Sequence, residues 1–372
     1  MRIVFLTWRD STHPDGGGSE IFVEQVARQL HDRGHAVTIR CARPPGAAAE
    51  AELDGVRLLR AGGRLTVYPR ALLWLLLRRR QVDVVVDVIN GIPFGTPLVR
   101  RRGVVALIHH VHERQWRIIY PDARGRVGWW IERRLTPALY REVPLLTVSE
   151  SSRADLVGLG FDPARVAVAR NGVDGTRVEA SRSPAPRIAV LARLVPHKQI
   201  EHVFAVLARL LPEFPDLHVD VIGDGWWREE LTADLRRHGV EAHVSMHGHV
   251  SARTRDRLLA EAWLMVLPSV KEGWGLAILE AAVQGTPTLA YRDAGGVAEA
   301  LVDGDTGELA ENLDDLVERT RALLHESARR TSMGERAATR SATFTWSATA
   351  DVVERTLESS AGAAQLRTGR RS

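Results

Sequence analysis

The stretch Lys271–Glu280, which reads KEGWGLAILE, constrains the fold of this chain more than any other. It follows an apolar strand predicted over 262–267 and passes through a glycine loop into a helix predicted over 276–284. Nearly every residue of that helix is apolar, which predicts that the helix is buried on all sides. The sequence therefore predicts a strand, a glycine loop and a buried helix in direct succession.

Two glutamates of this stretch are candidates for ligand binding. Glu280 falls in mid-helix among apolar residues, where a carboxylate without partners is too costly to keep. Two ribose hydroxyls would serve as partners, and an internal salt bridge is the alternative. Glu272 lies on the glycine loop, near backbone N–H groups of Trp274, Gly275 and Leu276 at the helix N-terminus. Such groups suit a phosphate or a sugar hydroxyl, unless Glu272 is merely solvated.

The run EGWGLAILEAAVQGTPTLA, which begins at Glu272, resembles the E-x7-E region of retaining glycosyltransferases of family GT4. That region commonly reads EGFGLPxLEAMAxGxPVVA. This chain differs from that pattern at Trp274, Ala277 and Val283, and none of these differences removes a polar group. The resemblance implies an α/β fold of the GT-B type, with two Rossmann-like domains facing each other across a cleft. It also implies that the acceptor binds mainly to the first domain and the sugar nucleotide to the second.

Length and composition agree with two soluble domains. A chain of 372 residues with 45% apolar content is ample for two cores. The net charge of +4 and the pI near 9.7 fit an anionic small ligand, a nucleic acid or an anionic membrane surface. The single cysteine, Cys41, excludes a disulfide framework and favours a reducing cytoplasm. The first residues have no signal-peptide layout, and the apolar run Ala71–Leu77 is far below the ~20 residues that span a bilayer.

The chain opens in a Rossmann-like manner, with a strand over 2–6, a glycine loop, a helix from Ser19 to about residue 32 and a strand over 36–41. The loop GGGSE lacks the G-x-G-x-x-G spacing, which disfavours a dinucleotide oxidoreductase. It resembles the GGxE loop of the GT4 family. The resemblance implies that Gly16 and Gly17 approach the donor diphosphate and that Glu20 lies on the acceptor side. A flexible surface turn is the alternative.

A cluster of histidines, HHVHE, follows the strand predicted over 104–108. Three imidazoles and a carboxylate could suggest a metal site, but the H-x-x-x-H helical spacing is absent and no cysteine assists. The GT4 resemblance implies instead one histidine that contacts the donor sugar and helps to position the acceptor. His109 fits by its place after the strand, and His110 is one residue away. His112 and Trp116 are further acceptor-side candidates.

Aromatic and basic residues alternate over 115–141, including Trp129 and Trp130. Such a segment can lie at a membrane interface or hold an anionic, lipid-linked acceptor. It can also be the amphipathic cover of the first domain. The earlier apolar helix over 70–80, with its basic end, is interpreted as a helix that covers the sheet.

The second predicted domain carries the remaining motifs. The segment ARLVPHK after the strand 187–191 resembles the family's GRLxxxKG, which implies that Arg193 and Lys198 neutralise the leaving diphosphate. Ordinary surface charges are the alternative. A turn at the end of the strand 217–222 offers backbone to a nucleotide. The donor-binding candidates are Gly16, Gly17, Gly223, Asp224, Gly225, Gly248, Gly273, Trp274, Gly275, Leu276 and Glu280.

The predicted organisation is a first domain over 1–175, a hinge over 176–186, a second domain over 187–345, a helix over 346–360 that crosses back to the first domain, and a disordered tail over 361–372.

The resemblance implies transfer of a sugar from a nucleoside-diphosphate sugar to a hydroxyl of a glycan, glycolipid or small molecule, with retention of configuration. A UDP-sugar or a GDP-sugar is the first donor expected. The catalytic candidates are His109, Arg193, Lys198 and Glu272. No metal or other cofactor and no nucleic acid are expected, and the protein is expected in the cytoplasm, with a possible peripheral contact at the inner membrane face. The alternatives are a sugar-nucleotide 2-epimerase of the same fold and a non-catalytic nucleotide-binding module.

Overall fold

The computed structural model describes residues 1–13 and 16–368, with side chains up to residue 362. These residues form two compact units. The first unit comprises Met1–Gly172 together with the chain from Trp346 onward, and the second comprises Val173–Thr345. The sequence predicts the corresponding boundaries at residues 175 and 346.

Strands make up the centre of each unit. They are β1 (Arg2–Leu6), β2 (Ala36–Cys41), β3 (Glu50–Leu53), β4 (Val56–Arg60), β5 (Val84–Val88), β6 (Val104–Leu107), β7 (Leu145–Thr147), β8 (Val166–Val168), β9 (Arg187–Leu191), β10 (His218–Ile222), β11 (Val244–Gly248), β12 (Leu264–Leu267), β13 (Thr288–Tyr291) and β14 (Gly307–Ala310).

Helices alternate with these strands. They are α1 (Gly18–Asp32), α2 (Val67–Arg78), α3 (Glu113–Ile119), α4 (Ala123–Trp130), α5 (Thr136–Tyr140), α6 (Glu150–Gly158), α7 (Glu201–Leu210), α8 (Arg228–His238), α9 (Ala252–Glu261), α10 (Leu276–Val283), α11 (Val297–Ala300), α12 (Leu313–His325), α13 (Ser327–Ser341) and α14 (Trp346–Thr368). A π-helical turn, Ile131–Leu135, joins α4 to α5.

The first unit is built on an eight-stranded sheet in the order β3-β4-β2-β1-β5-β6-β7-β8. Its neighbouring strands are parallel except for the β3–β4 hairpin. The central strands are continuous apolar runs such as VVVDV in β5, because helices cover both faces of a parallel sheet. The Rossmann-like prediction is confirmed for this unit, while the β3–β4 hairpin was not predicted from the sequence.

The second unit has a six-stranded parallel sheet in the order β11-β10-β9-β12-β13-β14. Strand β9 comes first in the chain and lies beside β12, which comes fourth. The strand order reverses between them, so the chain leaves these two neighbours in opposite directions. Ligands of open α/β sheets bind outside the carboxyl ends of the strands at such a switch point.

The segment 176–186, predicted as a hinge, has no regular secondary structure and packs within the second unit. The Arg182 guanidinium donates a hydrogen bond of 3.0 Å to the carbonyl of Ala260 and further ones to Gly285 and Thr286. The backbone N–H of Val178 donates to the side chain of Gln284 at 2.9 Å. These bonds fix the segment on its own unit.

The final helix α14 returns to the first unit, where Trp346, Val353 and Leu357 are buried. It continues to Thr368, so the prediction of a disordered tail is wrong for residues 361–368. Alanine, glutamine, leucine and arginine in that stretch are strong helix formers, and nothing there stops the helix. Residues 369–372 lie outside the described part of the chain.

Candidate functional site

The switch point of the second sheet brings together two of the predicted catalytic residues. Lys198 follows β9 and Glu272 follows β12, and the Lys198 Nζ lies 2.5 Å from Glu272 Oε1. Both side chains are 14% exposed. Ser269 Oγ donates to the same carboxylate oxygen at 2.6 Å. Arg193 is half-buried on the loop after β9. The structure thus places a cation and a carboxylate at the position where ligands bind in this type of sheet.

The loop before α10 is held by backbone contacts with a second loop. The N–H of Glu272 donates to the carbonyl of Ala294 at 2.8 Å, and the Glu272 carbonyl accepts from Gly296 at 3.1 Å. A Cβ on Gly296 would lie 2.1 Å from the Gly273 carbonyl oxygen, so only glycine fits there. Gly275 has φ +99° and precedes the first turn of α10. The N-terminus of α10 is therefore fixed close to Glu272.

Helix α10 is not buried on all sides as predicted. Ile278, Leu279 and Ala281 are buried, but Ala277 and Glu280 are partly exposed, with 13% of the Glu280 side chain accessible. The reason is that apolar composition alone cannot distinguish a core helix from one that borders an open site.

Glu280 lies on α10 and pairs with Arg255 of α9. The Arg255 Nη1 is 2.6 Å from Glu280 Oε1. Burial raises the pKa of Glu280, while the Arg255 charge opposes that rise. Of the two interpretations left open by the sequence, the internal salt bridge is the one present in this structure. A ribose would have to share this carboxylate with the guanidinium.

The glycines after β10 are required by the protein itself. A Cβ on Gly223 would lie 2.1 Å from the carbonyl oxygen of Ala192, and one on Gly225 would lie 2.3 Å from that of Leu194. Gly223 N–H also donates to the carbonyl of Gly248 at 2.9 Å. These contacts bring the turn close to the loop that carries Arg193, so glycine is needed here whether or not a nucleotide binds.

Three further donor-side candidates differ in exposure. Asp224 caps the N–H of Gly225 at 2.8 Å and lies 3.5 Å from Arg228. Trp274 is buried with its ring edge against Phe344, so it belongs to the core and not to the surface of the site. Leu276 is half-buried at the start of α10.

The two tryptophans after the glycine turn have separate environments. Trp227 packs against the core of the second unit, whereas Trp226 is 54% exposed. Of the pair, Trp226 is the exposed one, and its ring contacts that of Trp227 at a centroid distance of 5.3 Å.

His109 lies in the first unit, directly after β6, and is 6% exposed. Neither ring nitrogen has a hydrogen-bond partner. The ring packs edge-on against Phe22 with 5.2 Å between the centroids. Burial lowers the pKa of His109 to about 4, so the imidazole is neutral at pH 7. A neutral imidazole can donate from one nitrogen and accept at the other.

The neighbouring histidines are engaged by other side chains. A ring nitrogen of His110 lies 3.1 Å from Gln115 Oε1. His112 Nδ1 lies 2.9 Å from Glu132 Oε1, and Trp116 Nε1 donates to Glu132 Oε2 at 2.7 Å. Glu132 thus connects two of the acceptor-side candidates.

Glu132, which contacts two candidate residues, was not singled out from the sequence. It is buried in the π-helical turn 131–135, and π-turns are frequent at functional sites. The available signal was a single glutamate within an otherwise basic and aromatic run, WWIERR. Asp87 was also missed, although an aspartate inside the apolar strand VVVDV is unusual. It accepts from the Thr96 hydroxyl at 2.5 Å and so fixes the loop after β5.

The glycine loop after β1 is ordered by Glu20. The Glu20 carboxylate accepts from the N–H of Gly17 at 2.7 Å and lies 2.9 Å from Arg9 Nε. Gly17 is the N-cap of α1, so the helix begins one residue before Ser19, where the sequence predicts its start. Gly16 donates to the carbonyl of His13 at 2.7 Å. Glu20 therefore supports the shape of the loop and is itself buried.

Within residues 1–13 and 16–368, no three histidine, cysteine, aspartate or glutamate side chains are arranged to hold a metal ion. No helix in the same part of the chain is both long and apolar enough to cross a membrane.

Two family models match the chain. Residues 16–177 match "Glycosyltransferase Family 4", and residues 176–340 match "Glycosyl transferases group 1". A D-inositol 3-phosphate glycosyltransferase of Kineococcus radiotolerans is 30% identical over 91% of this chain and 89% of its own length. A glycogen synthase of Mycobacterium tuberculosis is also 30% identical, over 51% of this chain. That match spans only about half, 49%, of the glycogen synthase.

Solved structures share the fold. Sucrose-phosphate synthase from Thermosynechococcus elongatus superimposes with a TM-score of 0.82 at 17% identity, over 96% of this chain and 98% of its own. Anabaena HepE, solved in complex with UDP and glucose, gives a TM-score of 0.74 at 18% identity over 96% and 100%. The two parallel-sheet units fit the GT-B fold. Together these matches show that the chain belongs to the GT4 family of glycosyltransferases.

Proposed function

We propose that this glycosyltransferase moves a sugar from a nucleoside-diphosphate sugar to an acceptor hydroxyl with retention of configuration at C1. The observation that carries the proposal is the Lys198–Glu272 pair at the switch point of the second sheet, beside the N-terminus of α10. Anabaena HepE, which shares the fold, was solved with UDP-glucose, and this favours a UDP-sugar as the first donor to test.

The leaving diphosphate would be stabilised by Lys198, Arg193 and the first N–H groups of α10. Negative charge grows on the β-phosphate oxygens as the C1–O bond breaks, so fixed cations stabilise the transition state more than the ground state. The Lys198 ammonium has three N–H donors. One is directed to Glu272 and two remain for phosphate oxygens. In this proposal the two cations take the place of a metal ion.

The acceptor hydroxyl would approach C1 from the face that the diphosphate leaves. Its oxygen then bonds to C1, and its proton passes to the departing phosphate oxygen, which is the nearest base on that face. Glu272 would hold donor sugar hydroxyls and Glu280 the ribose, while neutral His109 would orient sugar and acceptor by one donated and one accepted hydrogen bond.

The test of the central role is Lys198→Ala. Because the ammonium acts on charge that develops in the transition state, we expect kcat to fall about 10²–10³-fold with a smaller change in donor affinity. The matched control is Arg209→Ala, which removes an exposed cation of the same unit that pairs with Asp314. Weaker donor binding with unchanged kcat would eliminate the leaving-group role, and full turnover by Glu280→Gln would eliminate the ribose role.

NMR of the product tests the stereochemistry, because retention requires that C1 has the same α or β configuration in the product as in the donor. Conversion of the donor to its epimer without any acceptor would instead support the 2-epimerase alternative.

A peripheral membrane contact of the first unit is a separate part of the proposal. On α4, Val127 and Trp130 are each 57% exposed, and Arg126, Arg133 and Arg134 lie exposed around them. Exposed aromatic and aliphatic side chains with basic neighbours suit an anionic interface. Trp129, in contrast, is half-buried.

Sedimentation with anionic vesicles tests this contact. We expect Trp130→Ser to weaken binding, while Trp226→Ser, which removes an equally exposed tryptophan from the second unit, has no effect. Equal binding by both variants and the wild type would reject α4 as the contact surface.

A further inference from the structure

A cavity of about 390 Å³ lies in the first unit between α2 and the strands β1, β2 and β4. None of its lining residues is among the candidate catalytic, donor or acceptor residues. Alternation along β2 directs Ala36, Thr38 and Arg40 toward it, and α2 contributes Trp74 and Arg78. The cavity is therefore a feature that the proposed transfer reaction does not use.

Arg40 is the unusual residue of this cavity. It is only 8% exposed, and its Nε has no hydrogen-bond partner. Burial lowers the pKa of its guanidinium, and the nearby Arg78 and Arg70 charges lower it further. A buried cation without a counter-ion is costly, so such a group is normally paired.

A tryptophan holds Arg40 and a second arginine in place. The Arg40 guanidinium carbon lies 5.2 Å from the Trp74 ring centroid, and that of Arg78 lies 5.3 Å from the same centroid. Both cations are thus positioned by cation–π contacts before any ligand arrives. A preorganised guanidinium loses less side-chain entropy when it binds an anion.

The other charges that line the cavity are already neutralised. Glu50 is the single lining carboxylate, and Arg57 binds it at 2.9 Å. Arg60 pairs with Asp10 at 2.5 Å, and Arg2 pairs with Asp83 at 2.7 Å. Among the ion pairs between described residues, none involves Arg40 or Arg78. The net result is a concave site with two uncompensated positive charges.

We propose that this cavity binds a phosphoryl group, free or carried by a small molecule, between Arg40 and Arg78 with the Thr38 hydroxyl on the same wall. Guanidinium groups match the oxygens of a phosphate through paired N–H donors. The volume lies within the range of about 300–1,000 Å³ that small-molecule pockets occupy. The site is separate from the Lys198–Glu272 pair, which lies on the second unit.

Titration calorimetry on the full chain tests the proposal with inorganic phosphate and glycerol 3-phosphate at constant ionic strength. We expect Arg40→Met to weaken binding at least tenfold and Arg78→Met to weaken it less, because Arg78 is exposed. Arg43→Met removes an exposed arginine outside the cavity and should bind as the wild type does. Tighter binding of glycerol 3-phosphate would identify an esterified ligand, and tighter binding of phosphate would identify the free anion.

Thermal unfolding separates this role from a structural one. If Arg40 serves to bind a ligand, Arg40→Met should unfold at the same or a higher temperature than the wild type without phosphate, because the unpaired buried charge is gone. Phosphate should raise the unfolding temperature of the wild type but not that of Arg40→Met. Equal phosphate binding by the wild type and Arg40→Met would overturn the proposal. The proposal would also be overturned if sodium chloride, at the same ionic strength, stabilised the wild type as much as phosphate does.

Discussion

His109 is the residue whose environment most affects its chemistry. It is buried beside Phe22 with no partner on either nitrogen, and its pKa of about 4 keeps it neutral near pH 7. Such an arrangement excludes a permanent imidazolium and leaves both nitrogens buried without a protein partner. The same burial should make the stability of the first unit depend on pH.

The pH dependence has a definite sign. The folded pKa of His109, about 4, lies below the unfolded value of about 6.5, so the unfolded chain binds the proton first as pH falls. The free energy of unfolding should therefore decrease from about pH 6.5 downward. Relative to His109→Gln, the wild type should lose about 1.5 kcal/mol more between pH 6.5 and 5.

Urea unfolding of both proteins at several pH values measures this difference. His31 is a half-buried histidine of the same unit, and His31→Gln serves as the control for general histidine titration. Parallel pH profiles for the wild type and His109→Gln would contradict the buried, neutral state of His109.

The sequence motifs name single candidate positions but not the pairs that these residues form in the structure. The E-x7-E spacing identified Glu272 and Glu280, and the second motif identified Lys198. Sequence spacing could not show that Lys198 reaches Glu272, because the two lie on loops after different strands. Nor could it show that Arg255, on α9, would take Glu280. Such pairings depend on strand order, which local patterns do not contain.

Among the elements, the π-helical turn 131–135 is tied to its neighbours by a single buried carboxylate. It carries Glu132, whose carboxylate accepts from the backbone N–H of His112 at 3.1 Å as well as from the His112 and Trp116 side chains. One buried carboxylate therefore joins α3 to the turn between α4 and α5.

Replacing Glu132 by Gln should destabilise the first unit by about 1–3 kcal/mol, since an amide brings an N–H group against donors that need an acceptor. The matched control is Glu113→Gln, an exposed residue that pairs with Arg117 and should change stability by less than about 0.5 kcal/mol. Chemical denaturation measures both. Equal stabilities for Glu132→Gln and the control would show that the carboxylate does not organise this region.

The apolar strands β1, β2 and β9 were predicted within a few residues of their observed bounds. The β3–β4 hairpin was missed because its outer strand β3, EAEL, is short and polar, although β4, VRLLR, is as long as β1. Its turn, Asp54-Gly55, has φ of +49° and +78°, and Asp-Gly is a standard hairpin signal that the sequence did contain. The partial exposure of Ala277 and Glu280 on α10 was missed because nothing local distinguishes a core helix from one beside an open site.

For the whole molecule, the sequence predicted where the last helix crosses back to the first unit but not how far that helix continues. Helix α14 contributes Glu354, which lies 2.6 Å from Arg33 and 2.7 Å from His35, and thereby joins the last helix to the first. Composition predicted disorder after residue 360, whereas the helix continues to Thr368. Contacts between residues more than 300 positions apart, such as Arg33 and Glu354, depend on the tertiary fold. They cannot be predicted from the composition of the tail.

The other proposed roles depend on one proposal: the second unit binds a nucleoside-diphosphate sugar whose transfer needs no metal. We would therefore measure thermal stabilisation and slow donor hydrolysis with UDP-, GDP-, ADP- and dTDP-sugars, each with and without EDTA. We expect stabilisation by the sugar nucleotides of one base, hydrolysis that persists in EDTA, and loss of that hydrolysis in Lys198→Ala. Stabilisation by none of the four donors, or hydrolysis abolished by EDTA, would contradict this proposal.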